Sequence, residues 1–311
     1  MKRSEPAHAL MTAHARFDQP ADGFDTRASA SDDGLRDRSI GDILRRSKRL
    51  SDAQVEDILR YQRERGLRFG EAAVALKLAS HGDVLWALSQ QFHYPYAPEG
   101  RSHENKELVL SADPFSDQAE AFRELRSQLL MGVLAPDEPR RALAVVSPDI
   151  GDGKTFVAAN MAVAFSQLGG RTLLLDVDMR TPRQHLVFGV ERASGLSSVL
   201  SGRSEGNVIQ QVADLPSLFV LPVGTVPPNP LELVQRPAFG LLVHELLEKF
   251  DYVVVDTPAA VHGADARVVA ARCGAALAVG RAGKSRMKSM TNLINALSKS
   301  AAMAGVIINE H

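Results

Sequence analysis

The segment Ser147-Pro148-Asp149-Ile150-Gly151-Asp152-Gly153-Lys154-Thr155 constrains the fold of this chain more than any other. It follows an apolar run at 143–146 and opens a stretch, 154–168, in which Val157, Met161, Phe165 and Leu168 recur at helical spacing before Gly169-Gly170. Strand, Gly-rich turn and helix in that order make a phosphate loop. Backbone N–H groups of Gly151, Asp152 and Gly153 can wrap an anion, Lys154 can reach the β/γ oxygens of a nucleotide, and the Thr155 hydroxyl can hold Mg²⁺.

Two further segments share the design. Leu173-Leu174-Leu175-Asp176-Val177-Asp178-Met179-Arg180 and Val253-Val254-Val255-Asp256-Thr257-Pro258 each run from apolar residues into carboxylates. Open α/β sheets bind ligands at the carboxyl ends of buried parallel strands, so Asp176, Asp178 and Asp256 are expected to converge on metal and nucleophile. Thr155, Asp176 and Asp256 are the candidate metal ligands. Lys154, Asp176 and Asp178 are the candidate catalytic groups, with either aspartate able to accept a proton from an attacking hydroxyl. Further strands are expected at 172–175, 218–221, 252–255, 276–279 and 306–308, and helices at 118–131 and 237–250. This alternation predicts a doubly wound parallel-sheet α/β domain.

The loop departs from the general pattern at two places. Pro148 stands where the pattern has its first glycine, and Asp149 where the Min and Par type ATPases keep a signature lysine. With the paired-aspartate motif ending in Arg180, the Glu120, Arg123, Arg126 spacing and the Pro227-Pro228-Asn229-Pro230 segment, residues from about 112 to 311 resemble the bacterial tyrosine kinases of polysaccharide export, the chain-length-determinant kinases of exopolysaccharide systems. The resemblance implies ATP and Mg²⁺ as ligands and phosphorylation of protein tyrosine. It also implies a membrane polysaccharide co-polymerase as partner, and a homo-oligomeric ring closed through the helix of Glu120, Arg123 and Arg126. In the wider family of these ATPases the position of Asn309 reads adenine. The only tyrosines are Tyr61, Tyr94, Tyr96 and Tyr252, with no tyrosine cluster at the carboxyl end. That keeps a second reading open: a non-kinase, ATP-driven assembly switch of the Min/Par-like class that scaffolds the export machinery.

The net charge of −1 gives no global signal for nucleic acid. The single cysteine, Cys273, excludes an intramolecular disulfide and fits a reducing compartment. No apolar run approaches the ~20 residues that span a bilayer. These features predict a cytoplasmic protein, peripheral at the inner membrane through a partner.

Ahead of the α/β domain the chain changes character twice. Residues 1–37 lack Val, Ile, Trp and Tyr and are expected to be a disordered tail. Residues 38–96 repeat at an offset of 29, Ile40-Gly41-Asp42-Ile43-Leu44 aligning with Phe69-Gly70-Glu71-Ala72-Ala73 and Val55, Leu59, Gln62 with Val84, Leu88, Gln91. Each unit reads as a short helix, a turn and a longer amphipathic helix, with Ser51 as an N-cap. The layout resembles the N-terminal helical domain of type II secretion ATPases, some of which bind cyclic di-GMP. Those binders carry a glycine where this chain has Lys77 and Lys48, so a structural or docking role leads and cyclic di-GMP binding is the alternative. Residues 97–117 read as a linker before the 118–311 domain.

Overall fold

The computed structural model describes residues 40–91, 105–114, 116–203 and 207–310. The expected N-terminal tail, Tyr94, Tyr96 and the first part of the linker lie outside them. The described residues divide into two compact units, one of residues up to Phe122 and the other running from Arg123 onward.

The first unit contains α1 (Ile40–Lys48), α2 (Asp52–Arg65), α3 (Phe69–Ala75) and α4 (His81–Gln91). The repeat is visible in how the long helices start. Gln54 N–H donates to Ser51 Oγ at 3.3 Å and Ser51 N–H to Gln54 Oε1 at 2.9 Å, a capping box. At the equivalent positions of the second repeat, Asp83 N–H donates to Ser80 Oγ at 3.1 Å and Ser80 N–H to Asp83 Oδ2 at 2.7 Å. The core pairs large residues of the first repeat, Ile43, Leu44 and Ile58, with their small counterparts Ala72, Ala73 and Ala87, all buried. Lys77, one of the two positions where the binders keep glycine, is left-handed at φ 58°; in the first repeat the matching Lys48 ends α1, and the left-handed residue is its neighbour Arg49 at φ 51°.

The span read as a linker is not featureless. Its second half holds α5 (Val109–Ala112), with Leu108, Val109 and Leu110 buried. The helix α6 (Asp117–Met131) then spans the division between the units.

The second unit runs β1 (Ala142–Val146), α7 (Lys154–Ser166), β2 (Thr172–Asp176), α8 (Gln184–Phe188), α9 (Leu196–Leu200), β3 (Gln210–Val212), β4 (Leu215–Leu221), α10 (Pro230–Gln235), α11 (Pro237–Lys249), β5 (Tyr252–Asp256), α12 (Asp265–Cys273), β6 (Gly274–Arg281), α13 (Met287–Leu297) and β7 (Ala302–Asn309). The sheet order is β3-β4-β2-β5-β1-β6-β7, and from β4 to β7 every pairing is parallel. The six expected strands are present; β3, with the half-exposed sequence Gln-Gln-Val, is an addition.

Helices cover both faces. Ala142, Ala144 and Val146 of β1 join a cluster with Phe239 and Leu242 of α11 and Val269 of α12. The alternate residues Leu143 and Val145 are equally buried and point to the opposite face, where α7 packs on β1, β2 and β5. Burial from both sides is why these strands read as unbroken apolar runs. Most importantly for the site, β5 inserts between β2 and β1, so the carboxyl ends of the three motif-bearing strands lie side by side.

Candidate functional site

The phosphate loop bridges β1 and α7 and is braced from several directions. Gly151 and Gly153 have φ 82° and 100°, which only glycine adopts without strain. Asp152, nearly buried, turns its carboxylate inward: Oδ2 accepts from Asp149 N–H at 2.9 Å and Oδ1 from the Ser285 hydroxyl at 2.7 Å. Its side chain therefore shapes the loop, and what it offers a ligand is its backbone N–H. The Asn309 amide donates to the Asp152 carbonyl at 3.1 Å, and a Cβ on Gly153 would collide with it. The structure thus brings Asn309 to the loop as a brace. Arg281 adds a hydrogen bond of 3.4 Å to the Gly151 carbonyl.

The register places the carboxylates. Asp176 pairs with Asp256 across β2 and β5, and Val145 with Asp256 across β1 and β5. Both aspartates are fully buried, and Asp178 and Lys154 are 4% and 6% exposed. Asp176 accepts backbone N–H groups from Asp178 at 3.1 Å and Gln184 at 3.2 Å. Asp178 accepts from the N–H groups of Arg180 and Thr181 and from the Thr181 hydroxyl at 2.8 Å. Burial, and then the Asp256 charge, pushes the Asp176 carboxyl well above its ordinary range. Burial likewise raises Asp256, to about 6, although the Lys154 charge and the neighbouring Gln184 and Thr155 side chains pull it back.

Gln184 gave no signal in the sequence, yet it ties the motifs together. Its amide nitrogen donates to Asp256 Oδ2 at 2.9 Å and to the Thr155 carbonyl at 3.1 Å, while its backbone N–H serves Asp176. Two buried acceptors here have no hydrogen-bond partner, Gln184 Oε1 and Asp256 Oδ1. Leaving such groups unpaired costs about 1–3 kcal/mol each, so they mark a place prepared for a donor or a cation. Among the described residues no three His, Cys, Asp or Glu side chains form a metal cluster by themselves. The donor set fits Mg²⁺ shared between Thr155, an aspartate, water and phosphate oxygens, which is how that ion is bound beside nucleotides.

Arg180 does not point freely at a ligand. Its guanidinium contacts both carboxylate oxygens of the buried Asp265 of α12 at 3.1 and 3.2 Å, fixing the end of the second motif. On α6, Glu120 is exposed and Arg123 half-buried. Arg126 departs from the expectation that all three are presented together, because its guanidinium donates to the Ala164 carbonyl of α7 at 2.7 Å.

Comparison with known proteins agrees with this geometry. The CobQ/CobB/MinD/ParA nucleotide binding domain family matches residues 143–311. The tyrosine-protein kinase wzc of Salmonella typhimurium is 32% identical over 210 residues, 67% of this chain and 29% of wzc, so the chain spans under a third of that relative. The tyrosine-protein kinase YwqD of Bacillus subtilis is 30% identical over 209 residues, 67% of this chain and 87% of YwqD. The kinase domain of the Escherichia coli tyrosine kinase ETK superposes with a TM-score of 0.61 at 31% identity, covering 65% of this chain and 79% of that one.

Proposed function

The chain belongs to the bacterial tyrosine kinases of polysaccharide export, within the CobQ/CobB/MinD/ParA nucleotide-binding family, and from that premise we propose that it transfers the γ-phosphoryl group of Mg-ATP to protein tyrosine. The observation that carries the reading is the pair of unpartnered buried acceptors, Asp256 Oδ1 and Gln184 Oε1, beside Lys154 and Thr155 at a glycine loop with open space over Gly151. Such acceptors fit a cation that the nucleotide brings with it.

In this reading the loop N–H groups from Gly151 to Thr155 hold the β- and γ-phosphates, and Lys154 offsets their charge. Thr155, Asp176 and Asp256 would hold Mg²⁺. The ion supplies neutralisation of phosphate charge when bound. The tyrosine hydroxyl gives its proton to Asp176 or Asp178. Its oxygen forms the new bond to the γ-phosphorus as the bond to the β–γ bridging oxygen breaks, and ADP leaves.

The same reading places the protein in control of exopolysaccharide chain length and export. It would lie at the cytoplasmic face of the inner membrane beside a membrane co-polymerase, as a homo-oligomer closed through Glu120 and Arg123. Among the described residues no helix is long and apolar enough to cross a membrane, which suits attachment through a partner. Incubation with radiolabelled ATP, with and without the co-polymerase, followed by phosphoamino-acid analysis, tests the proposal. Labelled phosphotyrosine is the expected product. Label appearing only as free phosphate would replace the kinase with the ATP-driven assembly switch.

A further inference from the structure

The turn between β6 and α13, with the first residues of α13, carries Lys284, Arg286 and Lys288, all exposed, with no acid from 281 to 288. None of the three forms an ion pair among the described residues, and neither does Arg267 on α12. This is not a loosely attached loop. The Ser285 hydroxyl accepts from Arg281 N–H at 2.7 Å and donates to Asp152 of the phosphate loop. Arg281 reaches the Gly151 carbonyl, and Ala282 N–H donates to the Asn309 carbonyl at 2.8 Å. The cations therefore ride on a turn whose position relative to the phosphate site is fixed.

Beside this turn lies a groove of about 270 Å³ lined by Pro148 and Asp149 of the loop, Val261, Arg267, and Ser289 and Asn292 of α13. Its lining includes the apolar Leu293, Ala296 and the 62% exposed Val261, while Met287 at the start of α13 is 79% exposed. The one acid on its walls is Asp149. Arg286 and Lys288 also sit at the positive end of α13, which has no acid in its first turn. Cations there oppose the helix dipole and lower stability, and an anionic partner would relieve that opposition.

We propose that this groove and turn bind an acidic, tyrosine-bearing polypeptide segment, the acceptor of phosphoryl transfer. Acidic side chains would lie against Lys284, Arg286, Lys288 and Arg267, and an apolar one against Val261 and Leu293. The substrate class rests on the kinase reading; the surface itself does not. A peptide is favoured over an anionic membrane because the groove is concave, Arg267 lines it together with Pro148 and Asp149 of the phosphate loop, and Lys284, Arg286 and Lys288 precede its Ser289 wall in the chain.

The test uses the full chain and two fluorescent probes, a glutamate–tyrosine copolymer and a lysine–tyrosine copolymer, with binding read by anisotropy without nucleotide. The acidic probe should bind at least about ten-fold tighter than the basic one, and the preference should shrink as salt is raised. The triple change Lys284→Glu, Arg286→Glu, Lys288→Glu should weaken acidic-probe binding by about ten-fold or more. Affinity for a fluorescent ATP analogue should stay within about two-fold. A parallel variant with Gln at the three positions guards against misfolding and should give a smaller loss in the same direction. Equal binding of the two probes, an unchanged triple variant, or capture by anionic vesicles with no copolymer binding would overturn the surface. Charge-dependent binding without any phosphotyrosine from added ATP would instead overturn the kinase reading and leave the surface standing.

Discussion

Polar side chains are used in opposite ways in the two units. In the helical unit they stand at helix ends, in or near water, and are paired: Ser51 with Gln54 and Ser80 with Asp83 within a turn, and Lys48 at the end of α1 with Asp83 at 2.7 Å. At the strand ends of the α/β unit they are buried, crowded with like charge, and partly unpaired. The first arrangement stabilises the fold on its own. The second costs stability until a ligand arrives. The difference separates polar residues that serve folding from those that serve binding, and it can be broken experimentally at either end.

The largest effect should come from Lys154→Met. The change removes the cation whose charge acts on Asp256 while keeping an unbranched apolar stem, so the fold should persist. Nucleotide turnover at saturating Mg-ATP should fall by at least about 100-fold, as expected for loss of a preorganised electrostatic group. Turnover near the original rate in a steady-state assay would sink the phosphate-site assignment.

Next in size is Asp256→Asn, which should separate ligand function from stability. Burial raises the Asp256 carboxyl to about 6 from an ordinary value near 3.8, so the folded state binds the proton more tightly than the unfolded one. Its contribution is therefore fully present below pH 3.8 and lost as pH rises through about 6. The ligand-free protein should lose about 1–3 kcal/mol from this group between those limits. Asp256→Asn should flatten that dependence in urea unfolding at several pH values and raise stability at pH 7, while weakening Mg²⁺-dependent nucleotide binding. A less stable variant at pH 7 would mean that the carboxylate is there for the fold.

How far the sequence discloses each region follows from the same contrast. Strands β1, β2 and β5 are legible because burial on both faces demands continuous Leu, Val and Ala, and the motif residues follow directly from their ends. The half-exposed β3 carries no such demand and gives no signal. Gln184 is illegible for another reason: its partners lie 29 and 72 residues away, at Thr155 and Asp256, and only the packing of α8 brings it to them. The inward-facing carboxylate of Asp152 and the role of Asn309 as a brace depend likewise on β6, β7 and the turn at Ser285. In the helical unit almost everything local was readable, since capping and core positions recur at a fixed offset.

Ser80→Ala tests the local side of the comparison. It removes the acceptor for Asp83 N–H and one partner of the Asp83 carboxylate. A lost N-cap costs about 1 kcal/mol. Native-state hydrogen exchange should show faster opening of α4 amides, with no change in nucleotide affinity. A shift in nucleotide affinity would show that the two units are energetically coupled.

The smallest effect has the opposite sign. Lys77 is exposed and held at φ 58°, where an L-residue is disfavoured by about 1–2 kcal/mol. Glycine relieves that strain but brings about 0.5–1 kcal/mol of additional chain entropy to lose on folding. Lys77→Gly should therefore stabilise the helical unit by about 0.5 kcal/mol net, read as slower exchange of α3 and α4 amides. Arg49→Gly, at φ 51° in the first repeat, should act alike, because each residue closes the short helix of its repeat before the capping serine. If Lys77→Gly instead destabilises the unit, the lysine side chain makes a contact worth more than the strain, and the left-handed position is held for binding, as the aspartates of the phosphate site are.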